Sequence, residues 1–228
     1  MIYFLFMQEN KPYNLGDQYE NDIFEVCKKK KILKKNSERG QASSNSDLIF
    51  VHQNKEYNLE VKADLNADFG QKYLNWSIES GWQWSKPDEV TDFYDQFNVI
   101  GLINNKFVPR KYTLDNDQIT EEDKIFDQRS FEKPNIECDI KGLYKYYKSK
   151  NCFYLQLENY GFYHLDSDIA NLDTAQFDGT VSLRLRCKTN HSIPIHKYSF
   201  LAVLKMKKKP TISKFNLEND SKFPNINP

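Results

Sequence analysis

Two strand-like runs joined by a short polar turn constrain this chain more than any other feature. Residues 47–51 (Asp-Leu-Ile-Phe-Val) read as one strand, and 52–56 as a turn that contains Gln53-Asn54. Residues 57–62 (Tyr-Asn-Leu-Glu-Val-Lys) read as the returning strand, with polar and apolar residues alternating. A strand sends successive side chains to opposite faces. Glu60 and Lys62 therefore share one face, and Val61 turns into the core. The fold-back sets Asp47, at the start of the first strand, beside Glu60.

Two carboxylates at this separation suit a hard divalent cation such as Mg²⁺, which takes oxygen ligands and keeps several waters. The Val61 carbonyl is a candidate third protein ligand. A metal held there accepts a phosphate oxygen and stabilises the charge that grows on phosphorus during displacement. Lys62 is placed to orient the attacking water or help deprotonate it.

The flanking segments supply a mixed α/β pattern. Tyr19, Ile23, Phe24, Cys27, Ile32 and Leu33 recur near helical spacing within 16–35, with Asn14 or Asp17 as the cap and lysines at the far end. The polar stretch 36–46 reads as a loop. A second helix is expected from Phe69 through Ile78, after Gly70. Between 81 and 139 the pattern is less legible: a helix within 87–99, a turn at Asn104-Asn105, and an exposed acidic stretch over 115–127. The end is rich in strands, at 152–157, 162–165, 180–188 and 198–206. The expected fold class is α/β, with a mixed central β-sheet of about five strands flanked by helices and additional C-terminal β-strands. One domain is expected over 1–210, with its core at about 14–80 and recognition or dimerisation elements at about 81–210. The Pro- and Asn-rich segment 211–228 reads as a polar tail or arm.

At this point the sequence resembles a known family, the PD-(D/E)xK nucleases, and within it the type II restriction endonucleases. The matching residues are Ser46-Asp47, a gap of 12 residues, and Glu60-Val61-Lys62. Ser46 stands where the family nominally has Pro. Members commonly carry a glutamate on the helix before the first core strand, and Glu20 fits that place, with Glu25 as runner-up. The segment Ala67-Asp68-Phe69-Gly70-Gln71 is similar to the start of the family's core helix, where a Gln often supports the site. The resemblance covers about 16–80. It implies a restriction-endonuclease-like core and Mg²⁺-dependent hydrolysis of both strands of a specific palindromic double-stranded DNA site. It further implies a homodimer with one active site per strand and a cognate DNA methyltransferase that protects the host. The residues it assigns are Asp47, Glu60 and Val61 to the metal, and Glu20, Asp47, Glu60, Lys62 and Gln71 to catalysis. Two alternatives stay open. One is another nuclease on the same core, acting in repair, junction resolution or mobile elements. The other is a non-enzymatic β-rich DNA-binding protein in which the Glu-Val-Lys triplet is only a solvated strand face.

The rest of the sequence narrows these classes. Hydrophobic residues are 39% and charged residues 28% of the chain, which suits a soluble globular domain rather than a disordered one. The net charge is zero, so contact with a polyanion has to come from local patches. Lys28–Lys31 with Lys34 and Lys35 form one such patch, and Lys205, Lys207, Lys208 and Lys209 another. In 180–188 one face carries Ser182, Arg184, Arg186 and Lys188, and the other Val181, Leu183, Leu185 and Cys187. That strand either tracks phosphates and guanine edges together with Lys205 and Lys207, or is a solvated edge. Asp64 and Asp68 are extra ligands or, more simply, surface carboxylates. Trp76, Trp82 and Trp84 are read as packing residues. Cys27, Cys138, Cys152 and Cys187 form no CxxC pair and are expected as reduced, buried thiols. The four histidines, His52, His164, His191 and His196, lack metal-binding spacing. No Gly-rich phosphate loop occurs, which excludes a P-loop ATPase. The apolar start, 1–7, is too short for a signal core or a membrane span, so a cytoplasmic protein is expected.

Overall fold

The computed structural model describes residues 15–34, 46–103, 106–133, 136–189 and 194–228. The expected Asn14 cap, the loop at 36–45, the Asn104-Asn105 turn, Lys35, His191 and the apolar start lie outside them. In chain order the elements are α1 (Leu15–Lys29), β1 (Leu48–His52), β2 (Lys55–Lys62), β3 (Phe69–Ser77), β4 (Gly81–Trp84) and α2 (Glu89–Asp95). They continue with α3 (Glu121–Phe131), β5 (Ile136–Cys138), α4 (Lys141–Ser149), β6 (Cys152–Leu157), β7 (Gly161–His164), β8 (Thr180–Lys188) and β9 (Ser199–Lys208).

The fold is mixed α/β, with helices packed on sheets and the C-terminal strands present as expected. The single central sheet resolves into two. The first is four-stranded, in the order β1-β2-β6-β7. The second is five-stranded, in the order β4-β3-β9-β8-β5. Only the β2–β6 pair is parallel among the strands described. The C-terminal strands β8 and β9 lie in the interior of the second sheet rather than at the margin of the first.

The β1–β2 hairpin turns at Gln53 and Asn54, both with positive φ (50° and 60°), and pairs Leu48 with Leu59 and His52 with Lys55. A two-residue loop with both φ positive matches the right-handed twist of the strands it joins. One face of the first sheet, with Leu59, Val61, Tyr154 and Phe162, buries against the Tyr19, Ile23 and Cys27 stripe of α1. The other face, with Leu155, Leu157 and Tyr163, joins a larger core. There it meets Phe93 and Tyr94 of α2, Leu143 and Tyr147 of α4, and Phe200, Ala202 and Leu204 of the second sheet. Helix α4 therefore sits behind the face of β2 that carries Glu60 and Lys62.

The helix expected from Phe69 through Ile78 is strand β3. Gly70 adopts φ +58°, its carbonyl accepts a hydrogen bond from the Tyr94 hydroxyl at 2.7 Å, and a Cβ at that position would run into the same hydroxyl. This left-handed residue marks an irregularity in the β3–β9 register between Phe69 and Lys72. Beyond it the segment is laddered on both sides, to β4 and to β9. Tyr73 and Trp76 suit such a pleated surface, and cross-strand pairing overrides the helical spacing.

One further expectation changes, and the choice between tail and arm is narrowed. The acidic stretch is exposed over much of its length, but Asp127, within α3, is fully buried. Its carboxylate accepts from the backbone N–H of Arg110 (2.8 Å) and Lys111 (3.0 Å) and from the Tyr198 hydroxyl (2.6 Å). The C-terminal segment is an arm laid along the first sheet. Ser213 N–H donates to the Tyr160 carbonyl (2.9 Å), Phe162 N–H to the Phe215 carbonyl (2.8 Å), and Asn227 N–H to His52 Nδ1 (3.0 Å). Leu217 and Ile226 join the α1 core. All four cysteines are free and buried. Among the described residues no helix is long and apolar enough to cross a membrane.

Candidate active site

The hairpin brings Asp47, Glu60 and Lys62 together. Val61 N–H donates to Asp47 Oδ2 at 2.8 Å, which ties the start of the first arm to the middle of the second. Lys62 Nζ lies 3.7 Å from the same oxygen and forms a close ion pair with Glu60 Oε1. It also donates to the Val61 carbonyl at 3.3 Å, so an amine now occupies the acceptor expected as a third metal ligand. Val61 itself is 1% exposed and faces α1, opposite Glu60 and Lys62, as strand alternation requires.

Three groups that the sequence did not single out complete this place, two from α4 and one, Lys150, from its C-cap. The Tyr147 hydroxyl, on a fully buried side chain, donates to Glu60 Oε1 at 3.1 Å. Tyr146 and Lys150 line the same cleft, with Lys150 Nζ 4.7 Å from the Tyr146 ring centroid. Helix α4 is held there by Asn58 of β2, whose amide donates to the carbonyls of Lys150 (3.3 Å) and Asn151 (3.1 Å). These are end carbonyls that a helix leaves without intrahelical partners. Tyr146-Tyr147 is a visible aromatic pair in the sequence, but nothing local ties it to a strand some ninety residues away (87 for the Tyr147–Glu60 contact).

The cleft has a volume of about 220 Å³. Asp47, Glu60, Lys62, Asp68, Gln71 and Lys188 share its walls with the α4 residues. Gln71 thus reaches the site from a strand, past the Gly70 bulge, and its side-chain oxygen accepts from Lys188 Nζ at 3.3 Å. Asp68 is no surface carboxylate. Its side chain is 7% exposed and lies between Arg186 and Lys205, 2.6 Å from the Lys205 amine. Asp64 is exposed. Two more strand cations are paired: Arg184 with Glu132 at 3.1 Å and Lys207 with Glu137 at 3.0 Å. The basic face of β8 and β9 is therefore present, with its charge largely matched by acids.

Electrostatics join Glu20 to the cluster. Burial pushes its carboxyl up to about 7, and the nearby Asp47 adds to this while Lys62 opposes it. Glu25 instead pairs with Lys28 at 3.5 Å in solvent. Burial raises Asp47 to about 6, with Glu60 adding and Lys62 opposing. Lys62 is held well above the usual lysine range. Burial works against its charge, but Glu60 and Asp47 outweigh that. The site is thus rich in carboxylates that resist ionising together, a condition a cation relieves.

The donor chemistry fits a hard divalent ion: carboxylate oxygens from Asp47 and Glu60, and a backbone carbonyl at Val61 once Lys62 swings away. Among the described residues no group of three or more His, Cys, Asp or Glu is gathered to hold a metal. Two protein carboxylates with water and a phosphate oxygen is the usual Mg²⁺ arrangement. No family model and no curated protein matches the chain. One solved structure, HhaI endonuclease in complex with DNA, is similar over 75% of this chain at 19% identity, with a TM-score of 0.41. The matched region spans 60% of that endonuclease's length.

Proposed function

We propose that the protein is a Mg²⁺-dependent endonuclease that hydrolyses phosphodiester bonds in double-stranded DNA. The observation that carries the reading is the meeting of Asp47, Glu60 and Lys62 in one cleft through a hairpin. It is supported by the crowding of Asp47, Glu60 and Glu20, which adds to the raised proton affinity of Asp47 and Glu20, and by the order of the motif in the sequence. Asp47 and Glu60, with the Val61 carbonyl, would hold the ion. When bound, Mg²⁺ supplies positive charge next to the phosphate and lowers the pKa of its waters.

The chain's own groups divide the remaining work. In the free protein Glu60 and Asp47 hold Lys62 in its protonated form, which orients the attacking water and offsets phosphate charge; once an ion takes over those carboxylates, the amine is released to help deprotonate that water. Glu20, held near neutrality, is the carboxylate able to take up a proton at physiological pH. Tyr147 fixes the rotamer of Glu60. As the water oxygen bonds to phosphorus, one ester P–O bond breaks. One proton of the water passes to the site's bases and a proton is returned to the departing alkoxide, so the products are a phosphate monoester and a hydroxyl.

In its finer form the proposal is a type II restriction endonuclease. It would be a homodimer on a palindromic site, paired with a DNA methyltransferase and working in the cytoplasm. Gln71 would assist the site, and Arg184, Arg186, Lys188, Lys205 and Lys207 would contact DNA. The sequence resemblance supports this form. The test is incubation with phage DNA and Mg²⁺. Discrete fragments are expected, with none in EDTA and none from a folded Glu60→Ala protein. Undiminished cleavage by Glu60→Ala would sink the assignment.

A further inference from the structure

The cleft does not end at the carboxylates. A second chamber, of about 310 Å³, continues from it and shares Gln71, Tyr73, Tyr146 and Lys150 as common walls. Its own additions are Lys72, Ser85, Lys86 and Ser149. The two chambers differ in their acids. The first is walled by Asp47, Glu60 and Asp68, balanced by Lys62, Lys150 and Lys188. Among the described residues no Asp or Glu lines the second, which gathers three lysines, two tyrosines and two hydroxyls.

We infer that this second chamber is the track for the DNA strand that flanks the scissile phosphate, with Lys72, Lys86 and Lys150 contacting its backbone. The inference rests on the endonuclease reading of the adjoining carboxylates and names the substrate-holding surface of that same site. Complementarity carries it. A cation chamber opening into an acid-free, lysine-lined chamber matches a polyanion whose one phosphate is to be placed at a metal and whose neighbours need cations. Tyr73 is 45% exposed at the shared wall, a large apolar surface left uncovered where a sugar or base edge would pass. Lys72 is not idle in the free protein, since it pairs closely with Asp88, the N-cap of α2. Entry of a backbone phosphate would compete with Asp88 for that amine. Lys150 sits where Asn58 and the end of α4 fix its backbone, so its amine is delivered from a rigid element.

The experiment measures binding apart from cleavage. Fluorescence anisotropy follows a labelled DNA duplex of about 20 base pairs without divalent metal, across a salt series. Wild type, Lys72→Gln and Lys86→Ala are compared, with Lys214→Ala as a control on the C-terminal arm. Each chamber variant is expected to weaken binding about three- to tenfold at low salt and to reduce the slope of log Kd against log salt by about one. The control should leave both unchanged. Thermal melts accompany each variant, and Lys86→Ala, at an exposed position, keeps the test valid if Lys72→Gln disturbs the α2 cap. Chamber variants that bind like wild type, or a control that weakens binding equally, overturn the inference while leaving the cleavage assay to judge the nuclease. So does capture of single-stranded RNA in preference to the duplex. If the lysine effects appear but wild type never cuts, the track stands and the nuclease reading fails. If wild type does not bind duplex DNA, the track is overturned.

Discussion

Two carboxylate centres lie inside this molecule, and they are built on opposite principles. Asp127 is fully buried and collects three short hydrogen bonds, two from backbone N–H groups and one from the Tyr198 hydroxyl. Around Asp47 and Glu60 the donors are fewer than the acceptors. One backbone N–H, one phenol and one ammonium face a pair of carboxylates, with a third, Glu20, close enough for Asp47 and Glu60 to raise its proton affinity. A buried carboxylate with both oxygens answered by fixed donors is a strut. A group of carboxylates left short of positive charge is a place waiting for a cation. The difference is one of hydrogen-bond and charge balance, and under the proposed function it separates a structural acid from catalytic ones.

The largest expected effect comes from exchanging these roles. Asp127→Ala leaves two backbone N–H groups and a phenol unanswered in the core. Roughly 3–5 kcal/mol of stability should be lost, a fall in Tm of about 10 °C for a chain of this size. Glu60→Gln keeps the shape of the side chain and an acceptor for Tyr147, and it removes one of the crowded charges. Its Tm should stay within a few degrees of wild type, while cleavage falls on the order of a thousandfold through loss of a metal ligand. Differential scanning fluorimetry paired with a nicking assay reads both. A Glu60→Gln protein that melts as early as Asp127→Ala would mean that Glu60 is a strut as well.

The same contrast explains what could be read from sequence. The hairpin was legible because its turn and its two-residue alternation are local, and together they fix which way Glu60, Val61 and Lys62 point. The C-terminal strands were legible for the same reason. Strand β3 was misread as a helix because its conformation is set by partners on either side and by Tyr94 reaching the Gly70 carbonyl, all distant in sequence. Asp127 was misread as exposed because its donors come from residues 110, 111 and 198. The α4 contribution of Tyr147, Tyr146 and Lys150 was not visible at all, since the parallel β2–β6 pairing that carries α4 onto the site is non-local. Local patterns reveal faces, whereas long-range pairing decides what those faces meet.

A smaller effect sharpens the comparison through pH. Glu20 and Asp47 have folded-state values raised to about 7 and about 6. Both groups then bind protons more tightly folded than unfolded, so the metal-free protein gains stability as pH falls through this range and loses it as pH rises from about 4 to about 7. Lys62 is raised as well, but its contribution is constant over this window and fades only in strong alkali. Metal-free Tm should therefore drop by a few degrees between pH 5 and pH 7.5, and less in Glu20→Gln. Mg²⁺ needs the ionised carboxylates, so its stabilising shift should grow over the same window. A Mg²⁺ shift that is flat or falls with rising pH would count against Asp47 as a ligand.

The smallest effect isolates the one buried donor that α4 gives to the site. Tyr147→Phe removes only the hydroxyl that reaches Glu60 at 3.1 Å, and the ring remains in the core. A neutral hydrogen bond to a carboxylate contributes about 1–3 kcal/mol, and part of that returns when Lys62 and water re-partner Glu60. The Tm should fall by no more than about 5 °C. If the phenol serves to hold Glu60 in its ligating rotamer, the Mg²⁺ concentration for half-maximal cleavage should rise by about threefold to tenfold, with the rate at saturating Mg²⁺ nearly kept. A merely structural phenol would lower Tm and leave the Mg²⁺ dependence where it was. The metal titration, not the melt, therefore decides whether α4 belongs to the functional centre or, like the Tyr198 hydroxyl on Asp127, only to the frame around it.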